Sequence, residues 1–89
     1  MTEYYVEVEG NFLKVPKWSK SLVRDFCGDW VVFDVPAKDL VWSVDEYQPK
    51  INSKYKGRVI RSGQEISFAE TKRSRWELDF EEGKELILV

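Results

Sequence analysis

Apolar and polar residues alternate over residues 4–15, and the alternation is interrupted at Gly10 and Asn11. A glycine beside an asparagine between two alternating runs is typical of a two-residue turn between antiparallel strands. With these two residues as the turn, Val8 faces Leu13 and the apolar side chains share one face of the hairpin. The sequence therefore predicts a β-hairpin over residues 4–15.

The spacing of apolar positions changes after Pro16. The apolar residues that follow recur at the three- and four-residue spacing of an amphipathic helix, and Gly28 comes where a left-handed C-terminal cap belongs. The pattern predicts one helix over residues 18–27, laid across a sheet. Its apolar residues are Trp18, Leu22, Val23, Phe26 and Cys27.

Two short apolar runs next predict core strands over residues 30–35 and 40–44. If residues 36–39 form the loop between them, Phe33 lies opposite Trp42 at the centre of one apolar face. Residues 45–57 have no convincing period and contain proline, glycine, asparagine and serine. They are predicted to form a long surface loop, of a length that is often functional.

The last third of the chain predicts two further hairpins, over residues 58–69 and 75–89. The register of the first is open, because two-residue and three-residue turns both fit around its glycine. In the second hairpin, a three-residue turn that ends at Gly83 places Leu78 opposite Leu86. The apolar C-terminal end predicts an inner strand or an edge strand paired across a homodimer, so monomer and homodimer are both open.

These elements predict a single compact domain over residues 1–89, of the α+β class and mostly antiparallel β. Two architectures are open: a strongly bent sheet, or a small SH3-like or OB-like barrel with one helix. In a chain of 89 residues, four tryptophans, four tyrosines and five phenylalanines supply the bulk of the core.

The composition points to an intracellular protein. Cys27 is the single cysteine, so no internal disulfide forms and a reducing cytoplasm is expected. No signal peptide is visible, and the longest apolar runs are too short to span a bilayer. Abundant charged residues with few Asn, Gln, Met and Cys resemble the composition of thermophile proteins.

The residue types present favour a protein without catalytic activity, cofactor or metal. The chain has no histidine, which excludes Ser-His-Asp and Cys-His nucleophiles and imidazole metal ligands. Cys27 is interpreted as a small buried apolar side chain. Adjacent residues on a helix point apart, so Ser19 and Lys20 are not expected to act as a pair. The acidic residues near Gly83 do not follow the spacing of a calcium loop.

Charge is distributed unevenly along the chain. Residues 45–75 hold eight basic and four acidic side chains, a net charge of +4, whereas residues 76–89 hold one basic and five acidic, a net charge of −4. Aromatic residues alternate with cations in the basic segment. Proteins that bind single-stranded nucleic acids use this combination to contact phosphates and to stack on bases. The candidate partner or nucleic-acid surface consists of Tyr47, Lys50, Lys54, Tyr55, Lys56, Arg58, Arg61, Lys72, Arg73 and Arg75. The competing interpretation is an ordinary surface whose cations pair with the acidic last hairpin, and a pI of about 5.2 favours it.

The leading functional hypothesis is a small interaction or regulatory protein that docks to another protein, such as a virus- or plasmid-encoded regulator or inhibitor. Aromatic residues on the outer sides of their strands would form its docking surface, unless barrel closure or cover by the helix buries them. They are Tyr4, Tyr5, Phe12 and Trp30. The alternative is a small β-barrel that binds single-stranded nucleic acid through residues 47–75. A carboxylate-only enzyme is the third hypothesis. No membrane association is expected.

Overall fold

A computed structural model of the protein describes residues 3–43, 46–50, 54–79 and 87–88. One 3-10 turn, Ala37–Asp39, and one α-helix, α1 (Phe68–Arg73), accompany the strands, and every described strand pair is antiparallel. The strands are β1 (Glu3–Val8), β2 (Asn11–Pro16), β3 (Ser21–Arg24), β4 (Trp30–Phe33), β5 (Leu40–Ser43), β6 (Glu46–Pro49), β7 (Gly57–Arg61), β8 (Arg75–Asp79) and β9 (Ile87–Leu88). The predicted class, α+β and mostly antiparallel β, is confirmed.

Three sheets make up the described part of the fold. The largest has the strand order β7-β4-β3-β8-β9, and the hairpins β1-β2 and β5-β6 form two-stranded sheets. Successive side chains of a strand point to opposite faces, so Leu22 of the central strand β3 faces one hairpin and Val23 faces the other. The result is a layered arrangement of hairpin, sheet and hairpin. Over the described residues the sheets do not close into a barrel, so the bent-sheet architecture is the one that fits.

The first core lies between the β1-β2 hairpin and one face of the large sheet. Trp30 is only 4% exposed here, and its ring stacks on Trp76 with centroids 5.6 Å apart. The hairpin therefore buries Trp30 without any barrel closure. The buried residues of this core are Val6, Val8, Leu13, Val15, Leu22, Trp30, Val32 and Leu78.

The second core lies on the opposite face of the large sheet, against the β5-β6 hairpin. It is smaller: Val23, Phe33 and Leu40 are buried, and half-buried side chains that include Tyr47 pack around them. Since each buried aliphatic or aromatic side chain contributes about 1.5–3 kcal/mol, the first core supplies most of the apolar stabilisation. The thinner second layer leaves part of this sheet face uncovered.

The hairpin over residues 4–15 is confirmed, but its register differs by two residues from the prediction. Val6 pairs with Leu13, and the turn is formed by Glu9 and Gly10. Both turn residues have positive φ, 49° and 80°, as a type I′ turn requires. A shift of two residues keeps every side chain on its face, which is why the predicted core face is right.

The predicted helix over residues 18–27 is wrong. Residues 21–24 form β3, which pairs with β4 on one side and β8 on the other. Adjacent apolar residues such as Leu22 and Val23 fit a strand buried on both faces as well as a helix, and periodicity alone cannot separate the two. Gly28 does have a positive φ of 85°, but it belongs to the β3-β4 turn and caps no helix.

The strands predicted over residues 30–35 and 40–44 exist as β4 and β5, while residue 44 lies outside the described part. Their mutual pairing is wrong, because Trp42 pairs with Tyr47 of β6 instead of Phe33. The 3-10 turn redirects the chain between the two strands. It is held by Glu77 of β8, whose carboxylate accepts a hydrogen bond from the N–H of Ala37.

The predicted loop over residues 45–57 is wrong at both ends. Residues 46–49 form β6, residue 57 begins β7, and residues 54–56 are irregular as predicted. Residues 45 and 51–53 lie outside the described part. The short alternation in β6 has no turn signal of its own, so only its pairing with β5 makes it a strand.

The predicted hairpin over residues 58–69 is also wrong. Its first strand corresponds to β7, but residues 62–67 are irregular and α1 follows at residue 68. Ser67 caps this helix by accepting a hydrogen bond from the N–H of Glu70 at 3.2 Å. The single described α-helix therefore lies here and not at residues 18–27. It is too short to cross a bilayer.

The last predicted hairpin exists as β8 and β9, again with a register two residues from the prediction. Leu78 pairs with Leu88, and residues 80–86, which include the predicted turn, lie outside the described part. Among the described strands, β9 lies at the edge of the large sheet and not inside it. Pairing of this edge across a homodimer stays a prediction.

Candidate binding cleft

The β5-β6 hairpin covers only part of the second face of the large sheet, and a cavity of about 240 Å³ remains between them. We call this cavity the binding cleft. It is lined by Val23, Asp25, Val31, Phe33, Glu46, Tyr47, Gln48, Pro49 and Tyr55.

The floor of the binding cleft is apolar. Val23 of β3 and Val31 of β4 are cross-strand partners, and Val31 pairs in turn with Val59 of β7. Val59 does not line the cavity but continues the same row of side chains to the edge strand, where it is 53% exposed. An apolar strip therefore runs from the cleft to the open edge of the sheet.

Tyr47 forms a fixed wall of the binding cleft. Its hydroxyl donates a hydrogen bond of 2.6 Å to the carbonyl of Lys72, and its ring meets Trp42 edge-to-face at 5.1 Å. The guanidinium of Arg75 lies 4.7 Å from the ring centroid and also donates to the carbonyl of Leu40. These contacts hold the ring from several sides, so it is preorganised.

Tyr55 forms another part of the cleft wall and is held more loosely. Its ring meets Phe33 edge-to-face with centroids 5.9 Å apart, and the residue remains 55% exposed. It lies two residues before β7, on the same side of the cleft as the segment that leads into this edge strand. Tyr47 and Tyr55, both predicted to belong to a binding surface, thus line the same cleft.

The charged residues of the binding cleft are carboxylates. Asp25 accepts a hydrogen bond from the N–H of Asp29 at 3.0 Å, and Glu46 accepts one from the side-chain amide of Gln48 at 2.7 Å. Neither pairs with a cation within the described part of the chain, and no basic side chain lines the cavity. The formal charges on the lining side chains are therefore all negative.

The predicted cations are spread over both sides of the large sheet. Lys72 and Arg75 lie near the β5-β6 hairpin, and the Lys72 ammonium is 6.0 Å from the Trp42 ring. Lys56 lies over Trp18, which packs on the first core, and Arg61 donates to the carbonyl of a β2 residue. The sheet separates these two groups: Lys72 and Arg75 lie beside Tyr47, whereas Lys56 and Arg61 point toward the first core.

The other predicted cations are exposed. Among the residues described, none of the eight basic side chains of the predicted surface pairs with a carboxylate, and an ion pair of 3.9 Å joins Arg24 to Glu70 instead. The acidic last hairpin, their suggested partner, lies mostly outside the described part. The exposed cations are Lys50, Lys54, Arg58 and Arg73.

Several aromatic residues are exposed away from the binding cleft. Tyr5 and Phe12 lie on the outer face of the first hairpin and are 68% and 65% exposed, whereas Tyr4 is half-buried. Cys27, expected to be buried, is exposed in the β3-β4 turn. Over the described residues no group of three or more potential ligands could hold a metal ion.

Asp25, Glu46 and Val59 belong to this region, and sequence reasoning missed all three. The predicted helix over residues 18–27 includes Asp25 and the predicted loop over residues 45–57 includes Glu46, whereas the structure has both regions in or beside strands. Strands β3 and β6 are each four residues long, which is too short for the spacing of apolar residues to identify a strand.

Comparison with known proteins gives no match, whether to a family model, to a curated protein or to a solved structure.

Proposed function

We propose that the protein is a non-catalytic interaction protein that binds a segment of another polypeptide at the binding cleft. The observation that carries the proposal is the apolar strip that leads from the cleft to the edge strand, with Val59 and Tyr55 both more than half exposed beside it. Exposed apolar and tyrosine side chains next to a cavity are typical of protein-binding surfaces.

The size of the cleft supports a polypeptide ligand. Its volume of about 240 Å³ lies below the roughly 300–1,000 Å³ of pockets that enclose whole small molecules. It has room for one or two side chains, and the rest of the ligand would lie outside it. Among the described strands, the backbone of β7 pairs only with β4, and Arg61 at its end reaches β2 through its side chain. The outer edge of β7 therefore offers backbone groups to an extended segment.

This mode of binding suits a regulator or inhibitor, because occupying a partner requires surface and no catalytic group. The chain has no histidine, and its lone cysteine is consistent with a reducing cytoplasm. A source in a virus or plasmid remains part of the hypothesis.

Two tyrosine variants test the proposal. Peptides selected from a random display library on the wild-type protein should lose at least about tenfold in affinity for Tyr55→Ser, because the cleft loses one wall. They should bind Tyr5→Ser as well as wild type, since Tyr5 has similar exposure but lies on the outer face of the first hairpin. Selected peptides that tolerate Tyr55→Ser, or that depend on Tyr5, would contradict the proposal.

The alternative function is the binding of single-stranded nucleic acid through residues 47–75. What favours it is that the eight cations of this surface have no carboxylate partner within the described part of the chain. Anisotropy of a labelled oligonucleotide at low salt tests it, with Arg58→Glu as the variant and Lys38→Glu as an exposed control outside the segment. Absence of binding at low salt removes this alternative.

A further inference from the structure

We propose that the binding cleft accepts one long cationic side chain, a lysine or an arginine, from the bound polypeptide. The inference deepens the proposed function, since it names the residue class that anchors the ligand. Three features of the cavity support it: two carboxylates without a cationic partner among the described residues, an apolar floor, and an accessible aromatic ring. The cavity has the size of one or two side chains.

The two carboxylates of the cleft favour a positively charged side chain in the ligand. Asp25 and Glu46 each use one oxygen in a hydrogen bond to a neighbouring donor, and the second oxygen of each has no partner within the described residues. Both residues are half-buried, so their attraction for a cation is screened less than at a fully exposed site. A neutral side chain would leave this attraction unused, and an anionic one would be repelled.

The apolar lining selects a long side chain. Lysine and arginine place three or four methylene groups before the charge, and such stems pack on apolar surface while the charged end stays with polar partners. Val23, Val31 and Phe33 offer that surface on the floor of the cleft. A short cationic side chain that reached the carboxylates would lose contact with the apolar floor of the cleft.

The tyrosine walls add a preference for a positive charge. The ring of Tyr47 already contacts the guanidinium of Arg75, whereas no basic group lies over the ring of Tyr55 among the described contacts. A cation over this second ring is attracted by the negative face of the ring, which strengthens binding of a positively charged side chain. Arg75 is not a lining residue, so its charge offsets part of the negative charge of the cleft without occupying it.

A titration with small probes tests the inference directly. n-Pentylammonium added to the isotopically labelled protein should cause saturable changes in the amide NMR signals of the cleft, and these should weaken as salt is added. n-Pentanol, of similar length but uncharged, should bind at least about fivefold more weakly. Equal binding of the two probes would overturn the inference.

Two carboxylate variants locate the effect. Glu46→Gln and Asp25→Asn should each weaken n-pentylammonium binding by about twofold to fivefold, the range expected for a partly screened ion pair. Both keep an acceptor oxygen for the local hydrogen bond, so a dispersed amide spectrum like that of wild type is expected. Glu65→Gln, at an exposed glutamate outside the cleft, should leave binding unchanged. A loss as large in Glu65→Gln would overturn the inference.

The inference and the proposed function can fail separately. If selected peptides bind at Tyr55 but tolerate replacement of every Lys and Arg by norleucine, the cationic anchor is wrong and the docking function stands. If n-pentylammonium binds in the cleft while no selected peptide depends on Tyr55, the cation site stands and the docking function is wrong.

Discussion

Gly28 and Gly63 lie backbone against backbone, so close that a Cβ atom on Gly63 would overlap the Gly28 carbonyl oxygen. The contact joins the β3-β4 turn to the segment after β7, and a hydrogen bond of 2.9 Å from the N–H of Ile66 to the carbonyl of Phe26 reinforces it. Asp25 belongs to the same turn, so this junction positions one carboxylate of the binding cleft.

Substitution of Gly28 should therefore be costly for two reasons. Gly28→Ala introduces a Cβ atom at a positive φ and pushes it into the backbone of Gln64. Gly10→Ala is the matched control, because Gly10 has a similar φ of 80° but nothing within 4 Å of the added atom. We expect a loss of about 1 kcal/mol for Gly10→Ala. For Gly28→Ala we expect about 3 kcal/mol, near the upper end for single substitutions. Urea unfolding measures both, and equal losses would show that the junction is not close-packed.

The stacked tryptophans of the first core should be energetically coupled. Trp30→Ala leaves a cavity beneath the first hairpin and should cost about 3–5 kcal/mol, while Trp76→Ala should cost less because Trp76 is only half-buried. A double-mutant cycle with Trp30→Phe and Trp76→Phe measures the coupling without emptying the core. We expect about 0.5–1.5 kcal/mol for a ring pair in this geometry. Additive effects would show that the rings do not interact.

Removing either of two buried hydroxyls, those of Ser21 and Thr71, should change the free energy of unfolding by different amounts. The hydroxyl of Ser21 is fully buried and has no hydrogen-bond partner within the described residues, whereas that of Thr71 donates to the carbonyl of Ser67 at 3.0 Å. Ser21→Ala should leave the free energy of unfolding within about 0.5 kcal/mol of wild type or raise it, because no bond is lost. Thr71→Val should cost about 1 kcal/mol. Chemical denaturation measures both, and a loss above 1 kcal/mol in Ser21→Ala would reveal a partner for its hydroxyl.

One substitution in the turn of the first hairpin should stabilise the protein. Glu9 has a positive φ of 49°, which asparagine adopts more readily than glutamate, and Asn-Gly is the preferred pair of a type I′ turn. Glu9→Asn should raise the free energy of unfolding by about 0.5–1 kcal/mol. Glu7→Asn, in strand β1, should not, because asparagine is unfavourable in strands. If Glu9→Asn destabilises the protein, the turn does not lie at residues 9 and 10.

The first hairpin shows how far local patterns reach. The alternation over residues 4–15 predicted both strands and the core face, because strand period and turn chemistry act within a few residues. The register was off by two, since Gly10 can occupy either position of a two-residue turn. Only the positive φ of Glu9, set by the twist of the paired strands, distinguishes the alternatives.

The sequence alone determined an antiparallel β-rich fold, the apolar face of its first hairpin and the absence of imidazole chemistry. Tertiary structure decided that residues 21–24 form a strand, because Ser21 pairs with Phe33 on one side and Glu77 on the other. It also decided that β5 turns away from β4 to pair with β6, which opens the cleft. Such pairings bury side chains against partners distant along the chain, and burial on two faces outweighs the weak helical spacing that local sequence suggests.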